Sequence, residues 1–346
     1  MRRARVLISA AVIALLVYLF AREVRHWSHF DWAVFWRNIR SINAADAIAS
    51  YAVIMIALLL RAPRWKLLMW PHQPRTAGLI PPTLIGFTGL ALLGRPGEMV
   101  RPYLIARNEG VTVSSQLGVW TVERIFDLGA FAVLVAYAFF VGAGLDTLPY
   151  ITEFRRAGVA LLGVVALLAI AALLLHHQGE RISQVLKRIF APLSPALARR
   201  ISSLTASFGE GVRSVGNARV LLAVAALSVL MWTLIACSYM LLLHAFPAPL
   251  RGFSFPACVV LIGFSIAGGL AQLPGGSTSQ LMVIAALMNV FSVPSELAVS
   301  CGILLWLCGY MAPVPFGLVL LRRKHLSLRS LTQESRAGDA QHASAT

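Results

Sequence analysis

Gly94-Arg95-Pro96-Gly97-Glu98-Met99-Val100-Arg101 and, about twenty residues further on, Glu123-Arg124-Ile125-Phe126-Asp127 decide how this chain is read. Six of these residues are charged, and the second group lies inside the apolar run 116–143, which is long enough to cross a bilayer. An ionisable side chain at membrane depth costs roughly 2.5–3.5 kcal/mol on insertion scales, so it pairs, lines a wet cavity or serves a function. The rest of the sequence reads as scaffold around these charges.

Working outward, the 346-residue chain is 58% hydrophobic and 13% charged. Soluble domains carry about 25% charged residues, so a soluble globule is excluded and a polytopic membrane protein is expected. The net charge of +16 does not require nucleic acid. Lys and Arg gather in cytoplasmic loops, where they also meet anionic headgroups. Cys237, Cys258, Cys301 and Cys308 fall in or beside apolar runs without C-x-x-C spacing, so neither a disulfide framework nor a zinc site is expected. His176-His177 and His244 lack carboxylate partners at metal spacing. No Walker A, G-x-S-x-G or H-E-x-x-H sequence occurs, and no cofactor, metal or catalytic residue is expected.

Basic Arg2, Arg3 and Arg5 precede an apolar run at 6–21 that lacks a small-residue cleavage site, as an uncleaved first span would. Residues 22–43 carry Trp27, Phe30, Trp32, Phe35 and Trp36, either as an interfacial helix or as a loop with scattered anchors. A second span is expected at 44–60, followed by a cytoplasmic loop holding Arg61, Arg64, Lys66 and Arg75. The run 79–93 is only fifteen residues long and contains Pro81-Pro82, Gly86 and Gly89. About twenty residues are needed to span, so a re-entrant segment is expected there. Further spans are read at 116–143, 157–175, 220–243 and 297–321, with a second broken segment interrupted at 273–280. The basic stretch 176–219 reads as a cytoplasmic loop with one apolar helical face. The tail 325–346 has a disordered composition.

The two broken segments resemble each other. Gly86-Phe87, Pro96-Gly97 and Val113-x-Ser115-x-Leu117 match Gly263-Phe264, Pro274-Gly275 and Val293-x-Ser295-x-Leu297 at offsets of 177, 178 and 180. The expected topology makes the first copy enter from the cytoplasm and the second from outside, the arrangement of alternating-access transporters. The expected fold is therefore all-α and polytopic, with about six full transmembrane helices and two broken re-entrant hairpins in an inverted repeat. Residues 1–324 form one membrane domain with repeats at about 44–175 and 220–324, and both termini are expected in the cytoplasm.

Glu123 and Asp127 share a helix face, and Arg124 can pair with Asp127, leaving Glu123 for Arg95 or Arg101. Two readings stand side by side: a buried ion-pair lock, or a direct substrate site. In the second, Arg95 and Arg101 grip a phosphate while Glu98, Glu123 and Asp127 orient them or take up protons. Gly97 shapes the first turn. The second turn answers with neutral groups: Pro274, Gly275, Gly276, Ser277, Thr278, Ser279 and Gln280.

The segments Leu-Leu-Gly-Arg-Pro-Gly-Glu-Met-Val-Arg (92–101), Glu-Arg-Ile-Phe-Asp-Leu (123–128) and Leu-Pro-Gly-Gly-Ser (273–277) resemble the flippase-like integral membrane family. This family includes the transmembrane region of lysylphosphatidylglycerol synthases, and the resemblance covers about 44–324. It implies a bacterial or archaeal inner-membrane protein that moves lipids or lipid-linked headgroups between leaflets. The sequence runs about twenty residues past the last span, so the soluble aminoacyl-transferase domain of the synthases is not expected. The second turn departs from the pattern, reading Gly-Gly-Ser-Thr-Ser-Gln where relatives carry a further glycine and often an acid. Translocation of an anionic phospholipid or phosphate-linked lipid, without ATP hydrolysis, is the leading expectation. The alternatives are a non-catalytic membrane partner of a lipid-modifying enzyme, acting through 176–219, and a membrane-embedded headgroup transferase. Expected partners are a membrane phospholipid or lipid-linked phosphate, with a lipid-modifying enzyme or a second copy of the chain as further candidates.

Overall fold

A computed structural model describes residues 30–142, 145, 151–168, 170, 217–270 and 274–323. Among the described residues every regular element is helical and there are no strands. The apolar run 6–21, the tail 325–346 and all but the end of the basic stretch 176–219 lie outside them. The expected span 157–175 is described as helix to 168 and at 170.

Short polar side chains set the helix starts by accepting from otherwise unpaired N–H groups. Asp31 caps α1 (Trp32–Arg40), taking Ala33 N at 2.8 Å and Val34 N at 3.1 Å. Phe35 is buried while Trp32 and Trp36 point outward, so 22–43 contains an amphipathic helix and not only a loop. Asn43 caps α2 (Ala44–Leu59) through Ala45 N.

The expected loop after α2 does not form. The chain turns only slightly at Leu60 and continues as α3 (Arg61–Leu68), with Arg64 N bonded to Leu60 O at 3.3 Å. Pro63 falls in the first turn of α3, where its missing N–H is tolerated. Arg61 and Arg64 are thus carried on a helix that extends an apolar segment, Ala44–Leu68, of 25 residues.

The first broken segment is an antiparallel hairpin. Its first arm, α4 (Thr76–Leu93), is an 18-residue helix that runs through Pro81 and Pro82. It is longer than the fifteen-residue fragment expected, and the Thr83 hydroxyl helps by donating to Leu79 O at 2.8 Å. The break falls at Gly94, with φ 66° and ψ −140°, where an L side chain is disfavoured. The short α5 (Arg95–Glu98) and then α6 (Val100–Glu109) return along α4. Gly78 faces Glu109, Gly86 faces Arg101 and Gly89 faces Gly97, so partner numbers fall as the glycine numbers rise. A Cβ on Gly97 would lie 1.9 Å from Gly89 O, and only glycine permits that approach.

Thr112 opens α7 (Val113–Phe140), a 28-residue helix carrying Glu123, Arg124 and Asp127. Asn217 opens α8 (Ala218–His244), which runs along α2. Ser50 Oγ donates to Ser238 O at 2.8 Å and Ser238 Oγ to Ser50 O at 3.1 Å, a polar contact between two otherwise apolar helices.

The second hairpin joins α9 (Phe255–Gly269) to α10 (Ser277–Asn289) through a turn at Pro274–Gly276. Gly268 packs against Thr278 O near the tip, and the rings of Phe253 and Phe291 meet at 4.9 Å near the open end. The tip of this hairpin abuts α4 of the first.

The last expected span, 297–321, is interrupted. α11 (Ser295–Leu305) passes into one π-helical turn, Trp306–Tyr310, closed by Met311 N to Trp306 O at 3.0 Å. The chain then restarts as α12 (Val314–Arg323). Pro313 and Pro315 supply no N–H to the helical ladder, and side chains of neighbouring helices hydrogen-bond carbonyls at the break. Tyr51 donates to Ala312 O at 3.2 Å and Thr88 to Pro313 O at 3.1 Å.

Four described stretches are long and apolar enough to cross a membrane: Ala44–Leu68, Thr76–Leu93, Ala218–His244 and Ser295–Arg323. Large apolar side chains such as Ile48, Leu222 and Leu270 face outward, as lipid-contacting surface requires. The fold is that of an all-α polytopic membrane protein.

Candidate functional site

The charges of α3, α6 and α7 converge in one buried cluster. Arg64 is the centre of it, with a side chain 0% exposed. Its guanidinium fork spans two carboxylates one helical turn apart: Nη2 donates to Glu123 Oε1 at 2.7 Å and Nη1 to Asp127 Oδ1 at 2.6 Å. Nη1 also reaches Ser228 Oγ on α8 at 3.0 Å. Because Arg64 lies on α3, this one side chain ties α3 to α7 and α8. Two parallel charge-assisted bonds give geometric specificity that a lysine cannot reproduce.

Arg101, from the return arm of the first hairpin, reaches the same Glu123. Its Nη1 donates to Oε1 at 3.2 Å and its Nη2 to Oε2. Its guanidinium carbon lies 4.2 Å from the centre of the Trp65 ring and 5.1 Å from that of Phe87. The Gly86 backbone makes room for this residue, since a Cβ there would lie 2.4 Å from Arg101 Cβ. The expected Arg101–Glu123 contact is therefore present, and so is Arg124–Asp127 at 3.1 Å within α7. The expectation that Glu123 has one partner is corrected: Arg64, Arg101 and Arg124 all contact it.

Asp127 is equally crowded. It accepts from Arg64, from Arg124, from Arg61 at 3.5 Å and from Trp232 Nε1 at 3.2 Å. Arg61 also lies over the Phe87 ring, 4.7 Å from its centre. Phe87 is thereby bordered by Arg61 and Arg101 together.

Beside this cluster, between the hairpins, lies a cavity of about 320 Å³. Arg61, Arg124 and Asp127 form its charged wall, and Ser265, Ser279 and Gln280 bring neutral polar groups from the second hairpin. Trp232, Tyr239, Trp306 and Tyr310 line it, together with aliphatic side chains of α2, α10 and α11. A smaller pocket of about 20 Å³ is bordered by Glu98, Arg101, Arg124 and Trp120.

The π-helical turn closes this region. Trp306 Nε1 donates to Gly275 O in the second turn, and Tyr310 OH donates to Leu90 O in the first hairpin at 3.3 Å. Gly276 has φ 64° and leaves no space for a Cβ, which would lie 2.6 Å from the Tyr310 ring.

Of the residues singled out in the sequence, Arg101, Glu123, Arg124 and Asp127 come together. Glu98 borders the small pocket and Gln280 the main cavity. Gly97 is a backbone contact to Gly89, and Gly275 and Gly276 meet Trp306 and Tyr310. Thr278 Oγ1 is buried without a hydrogen-bond partner, Ser277 opens α10 without bordering the cavity, and the side chains of Arg95 and Pro274 lie outside the described residues. Sequence reasoning missed Arg61 and Arg64, which it placed in a loop. A usable signal was present, because their spacing of three puts both on one face of a helix extending an apolar run.

Residues 6–317 match the family described as Lysylphosphatidylglycerol synthase TM region. The chain belongs to this family. It is a membrane domain associated with lipid modification or transport. The chain is also similar to a UPF0104 membrane protein of Methanothermobacter thermautotrophicus, 26% identical over 286 residues covering 77% of this chain and 81% of that protein. No solved structure matches the chain. Both arginine-bearing motifs, 92–101 and 123–128, fall inside the segment that defines family membership.

Proposed function

We propose that the protein moves an anionic phospholipid, or another phosphate-linked lipid, between the leaflets of a bacterial or archaeal inner membrane. The carrying observation is the cavity of about 320 Å³ between the two broken hairpins, cationic on the side of α3 and α7 and neutral on the side of α10. A headgroup crossing a bilayer needs such a wet, polar seat, since burying an unpaired charge in hydrocarbon costs several kcal/mol. The aliphatic wall beside the seat suits the start of an acyl or prenyl chain.

Two helix-break-helix hairpins that meet at their tips are the parts alternating access uses, one hairpin serving each face of the membrane. This supports the opposed topology, and the cytoplasmic termini belong to the same proposal. With no phosphate-binding loop in the sequence, movement runs downhill or on an ion gradient.

A headgroup-reversal assay in proteoliposomes tests the proposal. Fluorescent short-chain phosphatidylglycerol, placed in both leaflets, should become fully quenchable from outside when the protein is present. Quenching that stops at the outer-leaflet fraction with every anionic lipid tried would refute transport.

A further inference from the structure

The ion cluster is not balanced. Among the described residues, Arg61, Arg64, Arg101 and Arg124 pair with Glu123 and Asp127, leaving two guanidinium charges in excess. Counting Glu98, which borders the small pocket with Arg101 and Arg124, still leaves one. Buried charge is tolerated when it is paired and fully hydrogen-bonded, so an excess of this kind calls for a counter-anion.

The four arginines are not equivalent. Arg64 is 0% and Arg101 5% exposed, and each spends its fork on carboxylate oxygens. Neither borders the main cavity. Arg124 and Arg61 do, with side chains 35% and 11% exposed. Arg124 reaches Glu123 at 3.2 Å and Asp127 at 3.1 Å through Nη2, and Arg61 reaches Asp127 through Nη1 at 3.5 Å, whereas Arg64 and Arg101 each engage carboxylate oxygens with both Nη1 and Nη2. The two cations held by longer contacts, and not by a full fork, therefore flank the cavity of about 320 Å³.

We infer that Arg61 and Arg124 form the anion seat, and that Arg64 and Arg101 frame it without touching the ligand. This rests on the reading of the cavity as a lipid site and moves the phosphate contact away from Arg101. The ligand chemistry is a phosphate oxyanion of net negative charge. Asp127, the carboxylate on the cavity wall, already accepts from three arginines and Trp232, so it offers no oxygen to a headgroup ammonium. The seat therefore favours a net-anionic headgroup over a zwitterionic one.

The test uses the purified full-length chain in neutral detergent, with binding followed by thermal stabilisation and native mass spectrometry. The probes are short-chain phosphatidic acid, short-chain phosphatidylcholine and inorganic phosphate. Phosphatidic acid should bind in preference to phosphatidylcholine. Arg61→Gln and Arg124→Gln should each weaken phosphatidic acid roughly ten- to a hundred-fold, the loss of one charge-assisted hydrogen bond. Arg124→Lys should recover part of the loss by restoring the charge. Elution as a monodisperse peak and an unchanged tryptophan spectrum establish that each variant is folded. Glu123 and Asp127 keep Arg64 in both variants, so folding is expected to survive.

Unchanged phosphatidic acid affinity in both folded variants would overturn the seat. Equal affinity for phosphatidylcholine would overturn the charge selection. Inorganic phosphate binding as tightly as the lipid, and lost in the same variants, would keep the seat but assign it to a free anion. Variant-sensitive lipid binding without translocation in vesicles supports the seat and sinks only the transport reading.

Discussion

Glu123→Gln is the sharpest perturbation of the frame, because it removes one charge from an isosteric side chain contacted by three arginines. Removing one partner of a buried ion pair costs about 3–5 kcal/mol, since the other charge is stranded. The glutamine carbonyl can still accept from Arg64 or Arg101 and return about 1 kcal/mol. Its amide group, however, turns a donor toward the remaining guanidinium. The expected net cost is thus about 3 kcal/mol in unfolding free energy. The substitution also raises the excess of guanidinium over carboxylate charge from two to three. Arg101→Met removes a cation while keeping an unbranched stem against Trp65 and Phe87. Combined with Glu123→Gln, it returns the excess to two. The double variant should therefore be more stable than the sum of the single losses predicts, by about 1–2 kcal/mol. Equilibrium unfolding in mixed detergent micelles, followed by tryptophan fluorescence, measures all four corners of the cycle. A single-variant cost under about 1 kcal/mol, or additivity within about 0.5 kcal/mol, would refute the lock.

Other outcomes follow from packing and backbone geometry. Gly97→Ala should prevent the first hairpin from closing, because its Cβ would sit 1.9 Å from Gly89 O, and the yield of monodisperse protein should collapse. Gly110→Ala, also at positive φ but with nothing within 4 Å, should cost only about 1–2 kcal/mol, measured by the same unfolding assay. Ser50→Ala loses one side of the Ser50–Ser238 contact and should cost about 0.6 kcal/mol, a typical value for interhelical hydrogen bonds in membranes. Trp306→Phe removes the hydrogen bond to Gly275 O and should loosen the second turn. Faster alkylation of a cysteine introduced at Gln280 would show it, and an unchanged rate would count against the turn's being held there.

How much of this was legible in the sequence differs from element to element. The all-α membrane class follows from composition, and the hairpins follow from Gly94 and the Gly275-Gly276 pair, because positive φ and close backbone approach demand glycine wherever the chain folds. The charged triplet on α7 announced itself because charge in an apolar run has no local excuse. The Arg101–Glu123 and Arg124–Asp127 contacts were readable for the same reason. Arg61 and Arg64 were legible only as sharing one helical face, because basic residues after an apolar run carry the same local signature whether they face headgroups or a buried carboxylate. The interruption at Trp306–Tyr310 was hidden as well: Gly309, Pro313 and Pro315 occur in continuous membrane helices too, and the donors at the break, Tyr51 to Ala312 O and Thr88 to Pro313 O, come from helices distant in sequence.

The sequence by itself therefore determined that Glu123 and Asp127 must be neutralised, since their cost depends only on burial in an apolar helix. Tertiary structure alone decided which arginines do so and which are left over. That choice depends on α3 continuing as helix past Leu60 and on Gly86 admitting Arg101, both settled by contacts between segments distant in sequence. The same packing leaves Arg61 and Arg124 at the cavity wall, and so converts a set of costly membrane charges into a frame and a seat.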